Sequence, residues 1–223
     1  MSVSRSLSSL TKKFIMALLG LFLVVFLFVH LGINFLLLFS KDWFNIAAHF
    51  MATNPLIKVF EVVLFAGFIF HIVYGIILYF QNTSARPVNY KVKFASEKSY
   101  FSKYMIHTAV IILVFLIYHL IGFYFKAKFG DVGHVTIDGE EYHDMATLVL
   151  TAFHSLGLVL FNVFVFLILG FHLNHGFQSA FQSMGWNHPK YTPLVTALGS
   201  LISVILTIGF VSIPLIVYFA NIN

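Results

Sequence analysis

The chain contains no cysteine. This excludes disulfides, thiolate metal sites, covalently attached c-type haem and cysteine-held iron–sulfur clusters, so any redox centre must rest on histidine or another ligand. Charge is nearly as scarce: Asp, Glu, Lys and Arg make up 9% of the 223 residues against 60% hydrophobic, with a mean hydropathy of +0.93. A water-soluble domain of this size does not have that composition. Long polar stretches are missing as well. No segment between the apolar runs is large enough for a second, soluble domain, and a single transmembrane domain over residues 1–223 is expected.

What is present is a series of five apolar runs, at 13–39, 56–80, 104–125, 147–177 and 193–220. Each meets the roughly 20 residues that a helix needs to cross a bilayer. The fold class expected is therefore an all-α membrane protein of five transmembrane helices. The first run follows Lys12 and Lys13 as a signal peptide would, but it is too long for such a segment and no small-residue cleavage site comes after it, so it reads as a retained helix.

Basic residues set the expected orientation. Arg5, Lys12 and Lys13 precede helix one, Arg86, Lys91, Lys93, Lys98 and Lys103 lie between helices two and three, and Lys190 lies between four and five. That side carries nine of the thirteen basic residues and one acid, Glu97. The opposite side carries Asp42, Asp131, Asp138, Glu140, Glu141 and Asp144. The positive-inside rule places the N-terminus in the cytoplasm and the C-terminus outside. The net charge of +5 is this topology signal, not a nucleic-acid footprint. In the loop 82–103 the lysines alternate with Tyr90, Phe94, Tyr100, Phe101 and Tyr104, which suits either an interfacial anchor in lipid headgroups or a docking surface for a cytoplasmic partner.

Four histidines fall inside four separate runs: His30, His71, His119 and His172. An ionisable side chain at membrane depth is costly and is kept for ligands, proton paths or substrate sites. Counting about 1.5 Å per residue along helices of alternating direction puts His30 and His119 at an outer level and His71 and His172 at an inner one. Two pairs at two depths suit two stacked b-type haems, each iron taking axial nitrogens from facing helices. The first four helices then form a haem-binding bundle, with the histidine-free fifth peripheral to it. Gly75 and Gly176 follow His71 and His172 by four residues and Gly122 follows His119 by three, positions that permit close backbone approach to a flat group. The plainer alternative is helix contacts through small residues, with histidines as interhelical hydrogen-bonding glue. His175 shares part of the face of His172 and is its rival. His49 falls in an outer loop, and His107, His154 and His188 lie at or beyond helix ends.

Lys12-Lys13-Phe14, Met16-Ala17-Leu18, Gly20-Leu21-Phe22 and Val29-His30-Leu31-Gly32-x-Asn34, with Phe171-His172-x-x-x-Gly176 in helix four, resemble the cytochrome b membrane-anchor subunit of succinate dehydrogenase and fumarate reductase, in its single-subunit, di-haem b558-type family. The five-helix layout matches over nearly the whole chain. The resemblance implies His30 and His119 as ligands of a distal haem b and His71 and His172 as ligands of a proximal one. It also implies flavoprotein and iron–sulfur partner subunits on the cytoplasmic side of a bacterial inner membrane, and a quinone, menaquinone in this family, as redox partner in the lipid. Nothing in the chain resembles a dicarboxylate or flavin site, so succinate turnover is not expected of it alone.

Glu61 is the only acid inside an apolar run. It reads either as a proton or quinone site near the outer haem or as a carboxylate close enough to the surface to reach water beside Lys58. Thr196, Ser200, Ser203 and Thr207 form a stripe on helix five that suits packing, a wet groove or quinone contact. His134, His143, Glu140, Glu141 and Asp144 follow no metal-ligand spacing, and the segment 127–146 is expected to be a solvated loop with a turn at Asp138-Gly139. Two other readings stay open: a haem b anchor of another respiratory complex, such as a formate dehydrogenase, a nitrate reductase or a b561-like cytochrome, and a haem-free transporter with a histidine proton relay.

Overall fold

The computed structural model describes residues 8–84, 104–130 and 132–222. Arg5, the loop residues from Arg86 to Lys103 with their interleaved aromatics, and Asp131 lie outside the described residues. Helix α1 spans Ser9–Leu36, α2 Lys41–Thr53, α3 Pro55–Ser84, α4 Met105–Phe129, α5 Met145–Phe153, α6 Leu156–Ser183 and α7 Thr192–Phe219. A two-stranded antiparallel hairpin, β1 His134–Ile137 and β2 Glu140–His143, joins α4 to α5. Five of the helices, α1, α3, α4, α6 and α7, are long and apolar enough to cross a membrane, which makes this a multi-pass, all-α membrane protein.

Sequence punctuation accounts for the helix ends. Ser8 caps α1 by accepting the Thr11 N–H at 3.1 Å, and Ser40 caps α2 through the Trp43 N–H at 3.3 Å. A single residue separates α2 from α3. Asn54 is held extended ahead of Pro55 and accepts the Leu56 N–H at 2.9 Å, so it ends one helix and caps the next. Gly185, at φ +83°, terminates α6, where a residue with a Cβ would be strained.

Within the membrane the helices pack α3 on α1, α1 on α6, α4 on α6, and α6 on α7. Helix α7 lacks histidine yet is the most buried of the five spans. It is outside the set of helices that carry the four histidines, but it is not a loosely attached addition. Its glycines make the fit: a Cβ on Gly199 would come within 2.7 Å of Phe177 on α6, and one on Gly209 within 2.6 Å of Leu31 on α1. The hydroxyls of Ser203 and Thr207 bond back to the carbonyls one turn earlier, and Ser200 reaches Asn174 on α6 at 3.1 Å. The small-residue stripe is therefore a packing face, as membrane helices use in place of a hydrophobic drive; Thr196, at its end, is exposed.

Three expectations need correction. The fourth apolar run, 147–177, is not one helix: the chain breaks at His154 and Ser155, between α5 and α6. Hydropathy misses the break because α5 is itself apolar, with Ala146, Val149, Leu150 and Phe153 buried. His49 belongs to the amphipathic helix α2, not to an outer loop. Segment 134–143 is largely exposed and turns at Asp138-Gly139 as expected, but it is a paired hairpin and not an irregular loop, because Asp138 and Gly139 both take positive φ, 52° and 87°, the geometry that matches the twist of paired strands.

Candidate functional site

At the hairpin end, α2, β2 and α5 form a cap over the bundle. Asn45, 2% exposed, holds it together. Its side-chain oxygen accepts the Ala146 N–H at 2.8 Å and its amide donates to Asp144 Oδ1 at 3.2 Å. Asp144 also caps α5 by accepting the Thr147 N–H at 3.1 Å. Burial pushes the Asp144 carboxyl up, but hydrogen bonds from Thr147 and Asn45 and the charge of Lys41 outweigh it and hold the group below its ordinary value.

Below this cap the membrane histidines meet in two pairs. His30 on α1 and His119 on α4 have ring centroids 5.7 Å apart, and His71 on α3 and His172 on α6 are 6.4 Å apart. All four side chains are half-buried. Counted from the hairpin end of each helix at about 1.5 Å per residue, the first pair lies about 9 to 15 Å down and the second about 24 Å down. Breaking the fourth apolar run matters here. With α6 starting at Leu156, His172 is as far from the helix start as His71 is from Pro55.

The pair nearer the hairpin, termed the outer pair after the expected orientation, sits in an aromatic box. Phe26 stacks on His30 at 5.3 Å and Phe115 on His119 at 5.6 Å, while Phe123 lies 5.3 Å from His119 and Phe210 of α7 lies 6.1 Å from His30. Both stacked phenylalanines precede their histidines by four residues, one turn along the same face, a regularity visible in the sequence that ligand counting passed over. Immediately after His119, α4 contains a π-helical turn, Leu120–Tyr124. Such a turn takes in one extra residue and rotates the remainder of the helix by about 100° relative to an unbroken one.

Beyond that turn, Tyr124 and Lys128 both reach Glu61 on α3: the tyrosine donates a hydrogen bond and the lysine forms an ion pair. Lys128 also donates to the Tyr124 hydroxyl at 2.9 Å. Glu61 thus has two hydrogen-bonding partners on α4, and the charge of Lys58, three residues before it on α3, acts on it as well. The cluster ties α3 to α4 at the hairpin end.

The pair farther from the hairpin, correspondingly termed the inner pair, is differently furnished. His172 Nδ1 lies 3.3 Å from the Thr108 hydroxyl of α4, whereas His71 Nδ1 is buried without a hydrogen-bond partner and lies against Gly20 of α1. It is the ring of His172 that faces His71; among the described residues no ring contact brings His175 to that pair. The space a side chain on Gly75 or Gly176 would take is bordered by the ends of Met16 and Met105, at 3.4 and 3.7 Å, and Gly122 faces open space.

Searches against family models, curated proteins and solved structures return no match. The site's chemistry accordingly rests on its geometry. Two imidazoles on one metal, each at about 2 Å, put their ring centroids about 6 Å apart, and both pairs lie near that value. A buried, unpartnered imidazole nitrogen costs about 1–3 kcal/mol, and His71 carries one. The donor set of neutral nitrogens without thiolate or carboxylate suits a bis-histidine haem iron. Among the described residues, no group of three or more His, Asp or Glu side chains gathers as a metal cluster. In the hairpin, His134 and His143 pair across the strands at 4.8 Å, both exposed, and His49 packs on Tyr142 at 5.1 Å.

Proposed function

We propose that the chain is the di-haem b membrane anchor of a succinate:quinone oxidoreductase in a bacterial inner membrane, N-terminus in the cytoplasm. It passes electrons between flavoprotein and iron–sulfur partner subunits on the cytoplasmic side and a quinone, menaquinone by resemblance, in the lipid. The observation that carries the reading is the meeting of four intramembrane histidines in two cross-helix pairs at two depths. The sequence motifs around His30 and His172 supply the family.

In this reading His30 and His119 hold the distal haem iron and His71 and His172 the proximal one. Bound there, the two groups supply one-electron carriers in series across the membrane. The chain's own residues do the rest. Phe26, Phe115, Phe123 and Phe210 keep water from the outer pair and keep its rings apart from polar groups. Glu61 lies at the same end of the bundle as that pair, at a depth where a carboxylate can exchange a quinol's protons. Tyr124 and Lys128 hold its charge and orient it. Glu61 is itself only partly covered, so it keeps access to the surface while these partners hold it.

Purification of the chain from its native membrane tests the assignment. Co-purification of a flavoprotein and an iron–sulfur protein with succinate:quinone activity is expected. A molybdenum subunit in their place would move the chain to the anchors of formate dehydrogenases or nitrate reductases.

A further inference from the structure

We infer that Thr108 is a positioning residue for His172, fixing which of its ring nitrogens carries the proton. The hydroxyl of Thr108 has a single hydrogen. It lies 2.8 Å from the Met105 carbonyl one turn back and 3.3 Å from His172 Nδ1. The shorter, better contact takes the hydrogen, so the oxygen is left with lone pairs and accepts from the ring. His172 is then protonated on Nδ1. Its Nε2 is the unprotonated nitrogen, the one able to bind a metal.

The arrangement belongs to His172: the Thr108 hydroxyl bonds to its ring and not to that of His175, three residues on. It is also one-sided. His71, facing His172 across the pair, has a buried Nδ1 with no hydrogen-bond partner, so α4 orients one member of the inner pair while the other is held by packing on Gly20. Thr108 and His119 are eleven residues apart on α4, about three helical turns. One face of this helix therefore supplies a ring to the outer pair and the orienting hydroxyl to the inner one.

The hydrogen bond stands without any cofactor, but its consequence for metal binding rests on the haem reading above. An Nδ1–H donated to an acceptor fixes the tautomer and raises the basicity of the nitrogen that binds metal. Removing the acceptor should make His172 a poorer donor to iron and raise the reduction potential of the proximal haem alone.

Two measurements test this. In the full chain prepared without haem and labelled with 15N-histidine, the His172 signal, identified by its loss in His172→Gln, is expected to report the Nδ1–H form in the parent and in Thr108→Ser. In Thr108→Val it is expected to shift toward the Nε2–H form. In the haem-loaded complex, a potentiometric titration of Thr108→Val should move one of two b-type components upward and leave the other in place, with Thr108→Ser restoring the parent value. Loss of that one haem in Thr108→Val with recovery in Thr108→Ser counts the same way. An unchanged His172 tautomer in Thr108→Val, or equal movement of both components, overturns the assignment. A parent chain that binds no b-type haem refutes the haem reading, while the nitrogen signals still decide the hydrogen bond.

Discussion

Replacing Asn45 by alanine should open the cap at the hairpin end while leaving the membrane helices closed. Asn45 is 2% exposed and Ala146 fully buried, so the Ala146 N–H, which now donates to Asn45 at 2.8 Å, would have neither a protein partner nor water. A buried donor left unsatisfied costs about 1–3 kcal/mol, and the lost bond to the Asp144 carboxylate about 1 kcal/mol more. Asp144 keeps the Thr147 N–H, which limits the second loss. The sum is about 3 kcal/mol, or about a hundredfold in the equilibrium for local opening. Hydrogen exchange read by mass spectrometry on the chain in lipid nanodiscs resolves this. Amides of α2 and α5 are expected to exchange about a hundredfold faster, with α3, α6 and α7 unchanged. Unaltered exchange in both cap helices would refute the reasoning, as would an equal acceleration through the spans, since either result means that the cap is not held at Asn45.

Other perturbations have equally definite outcomes. Because the folded Asp144 carboxyl is held below its ordinary value, the stability it contributes is present above the unfolded carboxylate pKa of about 4 and is lost as pH falls through the lower folded value. Cap exchange should therefore rise on acidification into that window, and less so in Asn45→Ala, which lacks one of the hydrogen bonds. Gly209→Val would drive a side chain into Leu31, whose methyl carbon lies 2.6 Å from where a Cβ would stand. Overpacking of this kind costs about 1–3 kcal/mol, measurable as lowered resistance of the α1–α7 contact to denaturing detergent. Glu61→Gln should lower quinone-linked turnover of the assembled complex by about a hundredfold, the scale of a lost acid–base group, at unchanged haem content; parent-like turnover would make Glu61 a structural partner of Lys128.

The five spans were legible because hydropathy and length are the physics of crossing a bilayer, and the two histidine levels because helical rise converts sequence position into depth. The pairing of His30 with His119 and of His71 with His172 needed no more than that. What the sequence could not display were features set between helices. The break before Leu156 lies inside continuous apolarity. The π turn after His119, which ends at Tyr124, has no residue signature. Asn45 lies 99 residues from Asp144, so nothing local announces their bond. Thr108 is 64 residues from His172 and meets it only through the packing of α4 on α6. The aromatic box is the intermediate case: Phe26 and Phe115 are readable four residues before their histidines, but Phe210 reaches His30 only through the packing of α7.

The central claim is that the two histidine pairs are haem ligands. It is tested most directly by a reduced-minus-oxidised spectrum of the purified chain with haem counted per polypeptide. Two b-type haems per chain are predicted, falling to one when His30 or His119 is replaced by alanine, and again to one when His71 or His172 is. A chain without a Soret band would contradict the account and favour a histidine proton relay, and full haem content in His172→Ala would contradict the assignment of the fourth ligand and move it to His175.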